Sequence, residues 1–194
     1  MTIGVLALQG SVVEHLKLIQ SVNKKINAVP VRTADEINAV DGLIIPGGES
    51  TTLRILIDGA KLFNVIKSRI DAGMPVWGTC AGLILLASRI EGERPYLSAI
   101  DVDVKRNAYG RQIDSFVTEG DFGGMYIGMV FIRAPKITRV GERVQVLSAL
   151  DNDPVAVRQN NVLATAFHPE MMPRDNRVHK YFVGMVEETG AKIY

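Results

Sequence analysis

The chain has 194 residues, 47% hydrophobic and 22% charged, with a net charge of +1 from 22 basic and 21 acidic residues. That length and composition suit one ordinary globular domain, and the balanced charge leaves no electrostatic footprint for nucleic acid or an anionic membrane. One cysteine excludes an intrachain disulfide and a four-cysteine zinc site, and a mixed site has only three histidines to draw on.

Residues 2–8, TIGVLAL, are a continuous apolar run suited to a strand buried on both faces. They show no basic lead-in or cleavage pattern. No apolar stretch approaches the ~20 residues that span a bilayer, so the expected location is the cytoplasm. SVVEHLKLIQSV (11–22) has helical spacing, with Val12, Leu16, Ile19 and Val22 near one stripe. INAVPV (26–31) reads as a second strand and DGLIIPGG (41–48) as a third that ends in glycines. STTLRILIDG (50–59) opens a helix with Ser50 as N-cap. KLFNVIKSRIDAG (61–73) is another, closed by Gly73. MPVWG (74–78) is a fourth strand and AGLILLASRI (81–90) a helix. This alternation predicts a single α/β domain over residues 1–194, with a mostly parallel central sheet and helices on both faces.

The second half changes character. SAIDVDVKRN, MYIGMVFIRAP, RVQVLSAL, PVAVRQ and NVLATAFHP are strand-like, with DNDP and QNN as turns, and predict antiparallel hairpins. VTEGDFGG (117–124) reads as a short glycine-rich stretch. RDNRVHKYFVGMVEET (174–189) has helical spacing through Val178, Phe182, Met185 and Val186.

The lone thiol, Cys80, lies in GTCAG between an apolar strand and an apolar helix. Gly78 and Gly82 flank it as small residues flank the nucleophile of a strand–elbow–helix turn, where a sharp bend lifts the reactive atom clear of the sheet. The helix N-terminus behind it favours a thiolate. A lone cysteine is also readable as a small core hydrophobe, but a core strand has no need of the two glycines. A nucleophile needs a base, and the base an orienting group. His15 and His179 fall within helical patterns, where an exposed or capping role is expected. His168 lies in FHPE, kept from helical geometry by Pro169. In an extended segment residues two apart share a side, so Glu170 meets His168 and sets its tautomer. By spacing alone the pair is equally a loop histidine beside a solvated glutamate.

Pro46-Gly47-Gly48 ends the third strand. Paired glycines turn backbone N–H groups outward, as acyl transfer requires for its oxyanion, and the N–H of Ala81 is a second donor. The string lacks the lysine of a phosphate-binding loop; a plain tight turn is the other reading.

GTCAG, PGGES and FHPE in this spacing resemble the class I, triad-type glutamine amidotransferases. GVLALQG, the EH at 14–15, GLIIPGGESTT, GTCAGLILLA, RNAYGRQIDSF, FIRAP and FHPE more narrowly resemble the glutaminase subunits of pyridoxal 5'-phosphate synthases, over nearly the whole chain. The resemblance implies hydrolysis of L-glutamine to L-glutamate and ammonia. The ammonia passes to a synthase (lyase) subunit of a large hetero-oligomer that makes the vitamin B6 cofactor. It implies Cys80 as nucleophile, His168 as base and Glu170 as its orienter, with oxyanion N–H groups from Gly48 and Ala81. Gly48, Glu49, Ser50, Arg106, Ile132 and Arg133 match glutamine-contacting positions. An arginine suits the α-carboxylate and an acid the α-ammonium; either arginine is also readable as a surface charge. An isolated chain of this kind is weakly active until its partner orders the Gly47–Gly48 loop. Ser11, where an acidic or small residue often follows the glycine, and the VTEGDFGG stretch are departures that touch loops. The alternatives are a glutaminase serving another synthase, against which RNAYGRQ and FIRAP argue, a cysteine hydrolase or peptidase on the same elbow, and a non-catalytic binding module.

Overall fold

Strands and their connecting helices make up the first 86 residues of the computed structural model, which describes residues 1–106 and 115–191. The elements are β1 (Thr2–Leu6), α1 (Val12–Val22), β2 (Asn27–Val31), α2 (Ala34–Asn38), β3 (Gly42–Ile45), α3 (Ser50–Gly59), α4 (Phe63–Asp71), β4 (Val76–Thr79) and α5 (Ala81–Leu86). Strands dominate thereafter: β5 (Ala87–Ile90), β6 (Ile100–Lys105), β7 (Phe116–Phe122), β8 (Met125–Phe131), β9 (Lys136–Val140), β10 (Gln145–Leu150), β11 (Asp153–Gln159) and β12 (Val162–Thr165). A 3-10 turn over Pro169–Met171 and α6 (Arg177–Ala191) follow.

The main sheet has seven strands in the order β10-β11-β12-β4-β3-β1-β2. β2, β1, β3, β4 and β12 run parallel; β11 and β10 continue antiparallel from β12. β3, β4 and β12 are buried at every position. Because successive side chains point to opposite faces, such strands must be covered on both. α1 packs with α6, and α3 with α5. β2 is an edge strand, which is where Pro30 is tolerated. β5-β6-β9 form a second sheet and β7-β8 a hairpin. Gly123 and Gly124, both at positive φ, make the two-residue hairpin turn. Among the described residues, no helix is long and apolar enough to cross a membrane.

Several expectations need correction. AGLILLASRI is not one helix. α5 stops at Leu86, Ala87 turns extended, and Ala87–Ile90 pairs parallel with β6. A run buried along almost its whole length carries no periodicity to separate helix from strand. The N-cap of α3 is Glu49, whose carboxylate accepts from the Thr51 and Thr52 N–H groups; Ser50 is buried in the first turn. VTEGDFGG is mostly strand β7 plus its turn, and β9 and α2 are additional elements. The start of α2 is a capping box of Thr33 and Glu36, legible as T-x-x-E. The buried face of α1 is His15, Leu18 and Ile19, rotated from the predicted stripe because a histidine takes a core position.

Candidate functional site

β4 and β12 are paired in register, with Thr79 opposite Thr165, so their carboxyl ends finish side by side. Cys80 follows β4 directly with φ 48° and ψ −99°, a left-handed backbone that costs a non-glycine residue ~1–3 kcal/mol and persists only where its surroundings over-determine it. The Cys80 N–H donates to the Thr165 carbonyl at 2.8 Å, and α5 starts at Ala81. The flanking glycines are required sterically. A β-carbon on Gly78 would lie 2.4 Å from the Gly82 carbonyl carbon, and one on Gly82 only 2.2 Å from the Ile45 carbonyl oxygen. Helix and strand approach so closely here that no side chain fits, and the bend presents Cys80 at the rim.

Past β12 the chain is held by the His168 N–H donating to the Val130 carbonyl of β8 at 2.7 Å. Pro169 then opens the 3-10 turn. The expected extended geometry is therefore wrong: a tight turn, not a strand, brings His168 Nδ1 within 2.7 Å of Glu170 Oε1. The Ser11 hydroxyl donates to that same oxygen at 2.7 Å. On its other side the His168 ring faces the Cys80 side chain, and both line the same cleft. A β-carbon on Gly47 would lie 2.4 Å from His168 Cε1 and 3.4 Å from Cys80 Cβ, so imidazole and thiol meet over that glycine. Gly47 is in turn pressed by Gly10, at φ +88°, where a β-carbon would lie 1.9 Å from the Gly47 carbonyl oxygen. The loops after β1 and β3 thus pack backbone to backbone beneath the ring.

Burial opposes charging His168, but hydrogen bonds and electrostatic attraction from Cys80 and Glu170 outweigh it and push its pKa up to about 10. Burial likewise opposes ionising Glu170; His15, His168 and the Ser11 hydroxyl overcome this and hold its carboxyl down at about 2. Burial keeps His15 itself neutral, so at neutral pH the charge opposing Glu170 is that on His168. α5 has only six residues, so an anion at Cys80 is matched chiefly by this imidazolium rather than by a helix dipole.

A cleft of about 380 Å3 opens over Cys80, lined by Gly48, Glu49, Ser50, Cys80, Ile84, Arg106, Ile132, Arg133 and His168. Sequence reasoning singled out all of these except Ile84, which is hidden in an apolar run. A larger groove of about 640 Å3, beside Lys17, Lys24 and Lys25, contains no cysteine, histidine or carboxylate. The Ile132 carbonyl lies 3.9 Å from the Cys80 sulfur, and Arg133 is held at φ 45°. Ala81 opens α5, so its N–H has no acceptor within the helix. Two cleft residues are already engaged. Glu49, besides capping α3, pairs with Arg106 at 3.0 Å; Arg106 also pairs with Glu93 at 2.6 Å and donates to Thr51 Oγ1 at 3.2 Å. Burial raises the Glu49 pKa, but the Thr51 and Thr52 hydrogen bonds bring it down to about 2. Most of RNAYGRQIDSF, residues 107–114, lies outside the described residues.

Sequence reasoning missed the group behind the carboxylate. His15 and His179 are fully buried, not exposed or capping. His15 Nδ1 lies 2.9 Å from His179 Nε2, and His15 Nε2 lies 3.5 Å from Glu170 Oε2. The signal was the i, i+3, i+4 placement of His15 with Leu18 and Ile19. Among the described residues no cluster of three or more metal-ligating side chains occurs.

Fold and site together define an α/β protein of the nucleophile-elbow type, with a cysteine at the elbow and an imidazole–carboxylate pair beside it. The sequence profile of the SNO glutamine amidotransferase family matches residues 5–188, and the chain belongs to that family. A Nocardia farcinica protein named "Pyridoxal 5'-phosphate synthase subunit PdxT" is 50% identical over 97% of this chain and 87% of its own length. A protein of the same name from Clostridium acetobutylicum is 48% identical over 94% and 99%. A solved structure described as a glutamine amidotransferase superposes with a TM-score of 0.89 at 41% identity, covering 95% of this chain and 98% of its own. A Thermoplasma acidophilum protein described as part of a putative GMP synthase shares the fold alone, with a TM-score of 0.66 at 17% identity over 98% and 96% of the two chains.

Proposed function

We propose that this chain is the glutaminase subunit of a pyridoxal 5'-phosphate synthase, acting in the cytoplasm. It hydrolyses L-glutamine to L-glutamate and delivers the ammonia to a synthase subunit. The observation that carries the reading is the meeting of Cys80, His168 and Glu170 at one rim of the sheet, under a cleft lined by Gly48, Glu49, Ser50, Arg106, Ile132 and Arg133. The relatives named as subunits of that synthase support the choice of partner.

The mechanism follows from the charges. His168 stands between sulfur and carboxylate; its imidazole takes the thiol proton, and the thiolate so formed is the nucleophile. The sulfur attacks the side-chain carbonyl carbon of glutamine, a C–S bond forms, and the carbonyl electron pair moves onto oxygen. The N–H groups of Gly48 and Ala81 receive that oxyanion, a donor of this kind being worth ~3 kcal/mol. As the tetrahedral species collapses, His168 gives its proton to the departing nitrogen and ammonia leaves. A glutamyl thioester remains. His168 then takes a proton from water, whose oxygen attacks the thioester; the C–S bond breaks, thiolate returns and glutamate departs. Arg106 takes the substrate α-carboxylate by exchanging it for Glu93, and Glu49 faces the α-ammonium. No step calls for a metal or organic cofactor.

The test is co-purification with candidate synthase subunits, followed by ammonia release from glutamine with and without them. Turnover is expected from the complex, weakly from the isolated chain, and not from Cys80→Ala. Undiminished turnover by Cys80→Ala overturns the reading. Cleavage of peptides with no release from free glutamine makes the chain a cysteine hydrolase instead.

A further inference from the structure

All three histidines of this chain, and its one cysteine, belong to a single buried cluster, yet the mechanism above uses only His168. The unused pair lies behind Glu170. Oε1 of that carboxylate is fully engaged by His168 Nδ1 and Ser11 Oγ, each at 2.7 Å. Oε2 is buried, takes no hydrogen bond among the described residues, and faces His15 Nε2 at 3.5 Å. We propose that His15, backed by His179, is a positioning residue for the site: its Nε2–H is aimed at Glu170 Oε2 and fixes the carboxylate plane, so that Oε1 stays on His168.

The proton positions follow from the carboxylate. A bare nitrogen of His15 facing Oε2 sets lone pair against anion, so Nε2 carries the hydrogen. His15 Nδ1 is then an acceptor, and the group beside it, His179 Nε2 at 2.9 Å, is the donor. His179 Nδ1 is left as a bare, buried acceptor with no partner among the described residues. The chain of bonds has one polarity and ends inside the protein, so it orients without conducting a proton to solvent. Trp77 fixes both rings edge-on, with centroids 5.3 Å from His15 and 4.9 Å from His179. Thr79 Oγ1, 3.5 Å from His15 Nε2, stands beside the same hydrogen.

The pair must stay neutral to do this. Burial pulls the His15 pKa down against the pull of Glu170 and Glu14, and the charge on His168 lowers it further. His179 is lowered well below the usual range by burial and by His15, against Glu170 and Asp175. A cation at His15 would compete with His168 for the one negative charge between them. A neutral donor aligns that charge and leaves it to the imidazolium. The contact of 3.5 Å is long for a hydrogen bond, and contacts of this kind shorten when a catalytic site is loaded.

This inference rests on the triad reading, and the test separates the two. Cys80 is the only cysteine, so iodoacetamide modification of the intact chain reports on the thiol–imidazole pair without glutamine or a partner. His15→Leu is expected to shift the pH profile of alkylation upward and to lower kcat in the synthase complex by about tenfold or more, the loss of one hydrogen bond to a charged group. KM should be unchanged. His15→Gln, which keeps a neutral N–H donor, should retain the wild-type profile and a kcat within about threefold of wild type. If His168→Asn leaves the alkylation profile unchanged, the triad reading itself falls. If His168→Asn changes it and His15→Leu does not, or if His15→Gln is as impaired as His15→Leu, only the role of His15 falls. Should His15→Leu not fold, nitrogen NMR of the wild-type chain labelled at histidine decides the matter. Protonation of His15 at Nε2 alone at neutral pH is expected; a proton on Nδ1 overturns the proposal.

Discussion

Gly47→Ala is the sharpest test of how the site is held. The added methyl would stand 2.4 Å from His168 Cε1 and 2.9 Å from Nδ1, with Cys80 Cβ at 3.4 Å. To restore ordinary contact the ring must retreat from 2.4 to about 3.4 Å, roughly 1 Å. It cannot do so freely, because the ring is buried and bonded at 2.7 Å to Glu170. The same displacement carries Nδ1 out of hydrogen-bond range, a loss of ~1.5–3 kcal/mol for a bond to a charged partner. Overpacking of this size destabilises a fold by ~1–3 kcal/mol, and a 1 Å misplacement of a catalytic group costs ~100-fold in rate. The expected variant is therefore folded, with a modestly lower denaturation midpoint, a kcat for ammonia release down about 100-fold and an alkylation profile displaced to higher pH. Gly48→Ala gives the steric contrast for stability and alkylation only, because the Gly48 N–H is an oxyanion donor in the proposed reaction. Its methyl meets the Gln9 side-chain amide at 3.1 Å and above, which is a flexible neighbour, although the φ of +156° adds some strain. Wild-type turnover and alkylation in Gly47→Ala would refute the claim that His168 rests on this glycine.

Two further outcomes follow from the charges. The Glu170 carboxyl is held at about 2 against an ordinary 4.5. A lowered carboxyl contributes stability that is fully present above pH 4.5 and disappears as pH falls through 2, here on the order of 3 kcal/mol. His168, raised from 6.5 to about 10, has the opposite sign: its share is present below pH 6.5 and lost as pH rises through 10. The unfolding free-energy gap between wild type and Glu170→Gln should thus be widest between about pH 4.5 and 6.5 and narrow on both sides; a gap that is flat with pH argues against a buried ion pair. Glu93→Gln removes one of the two carboxylates that occupy Arg106. Exposed ion pairs are worth ~0–1 kcal/mol, so KM for glutamine should fall by no more than about fivefold with kcat unchanged, and a rise in KM would show that Glu93 helps rather than competes.

Much of this protein is legible in its one-dimensional pattern. Unbroken apolar runs such as GLII and VWGT are what a doubly covered parallel strand requires, and the glycines around Cys80 are what a strand-to-helix elbow requires. Both are local constraints, written where they act. His168 and Glu170 are two residues apart, so their meeting was readable even though the turn that joins them was not. The cleft residues were readable through family resemblance, since no spacing rule links Gly48 to Arg106 or Arg133.

What composition and periodicity left open depends on contacts between distant segments. The break between α5 and β5 is set by Ala87 pairing with Ile100, not by a change in polarity. Whether Arg106 stands free or paired depends on Glu93 and Glu49, brought to it by separate loops. His15 and His179 read as helix-surface residues because a histidine pair 164 positions apart carries no local mark of being buried. Steric constraints such as the glycines of the elbow act between neighbours within a few residues, and the sequence states those directly. The charge and burial of a side chain answer to whatever the fold carries within a few ångströms, and here that is the carboxylate of Glu170, which joins the two overlooked rings to the cysteine.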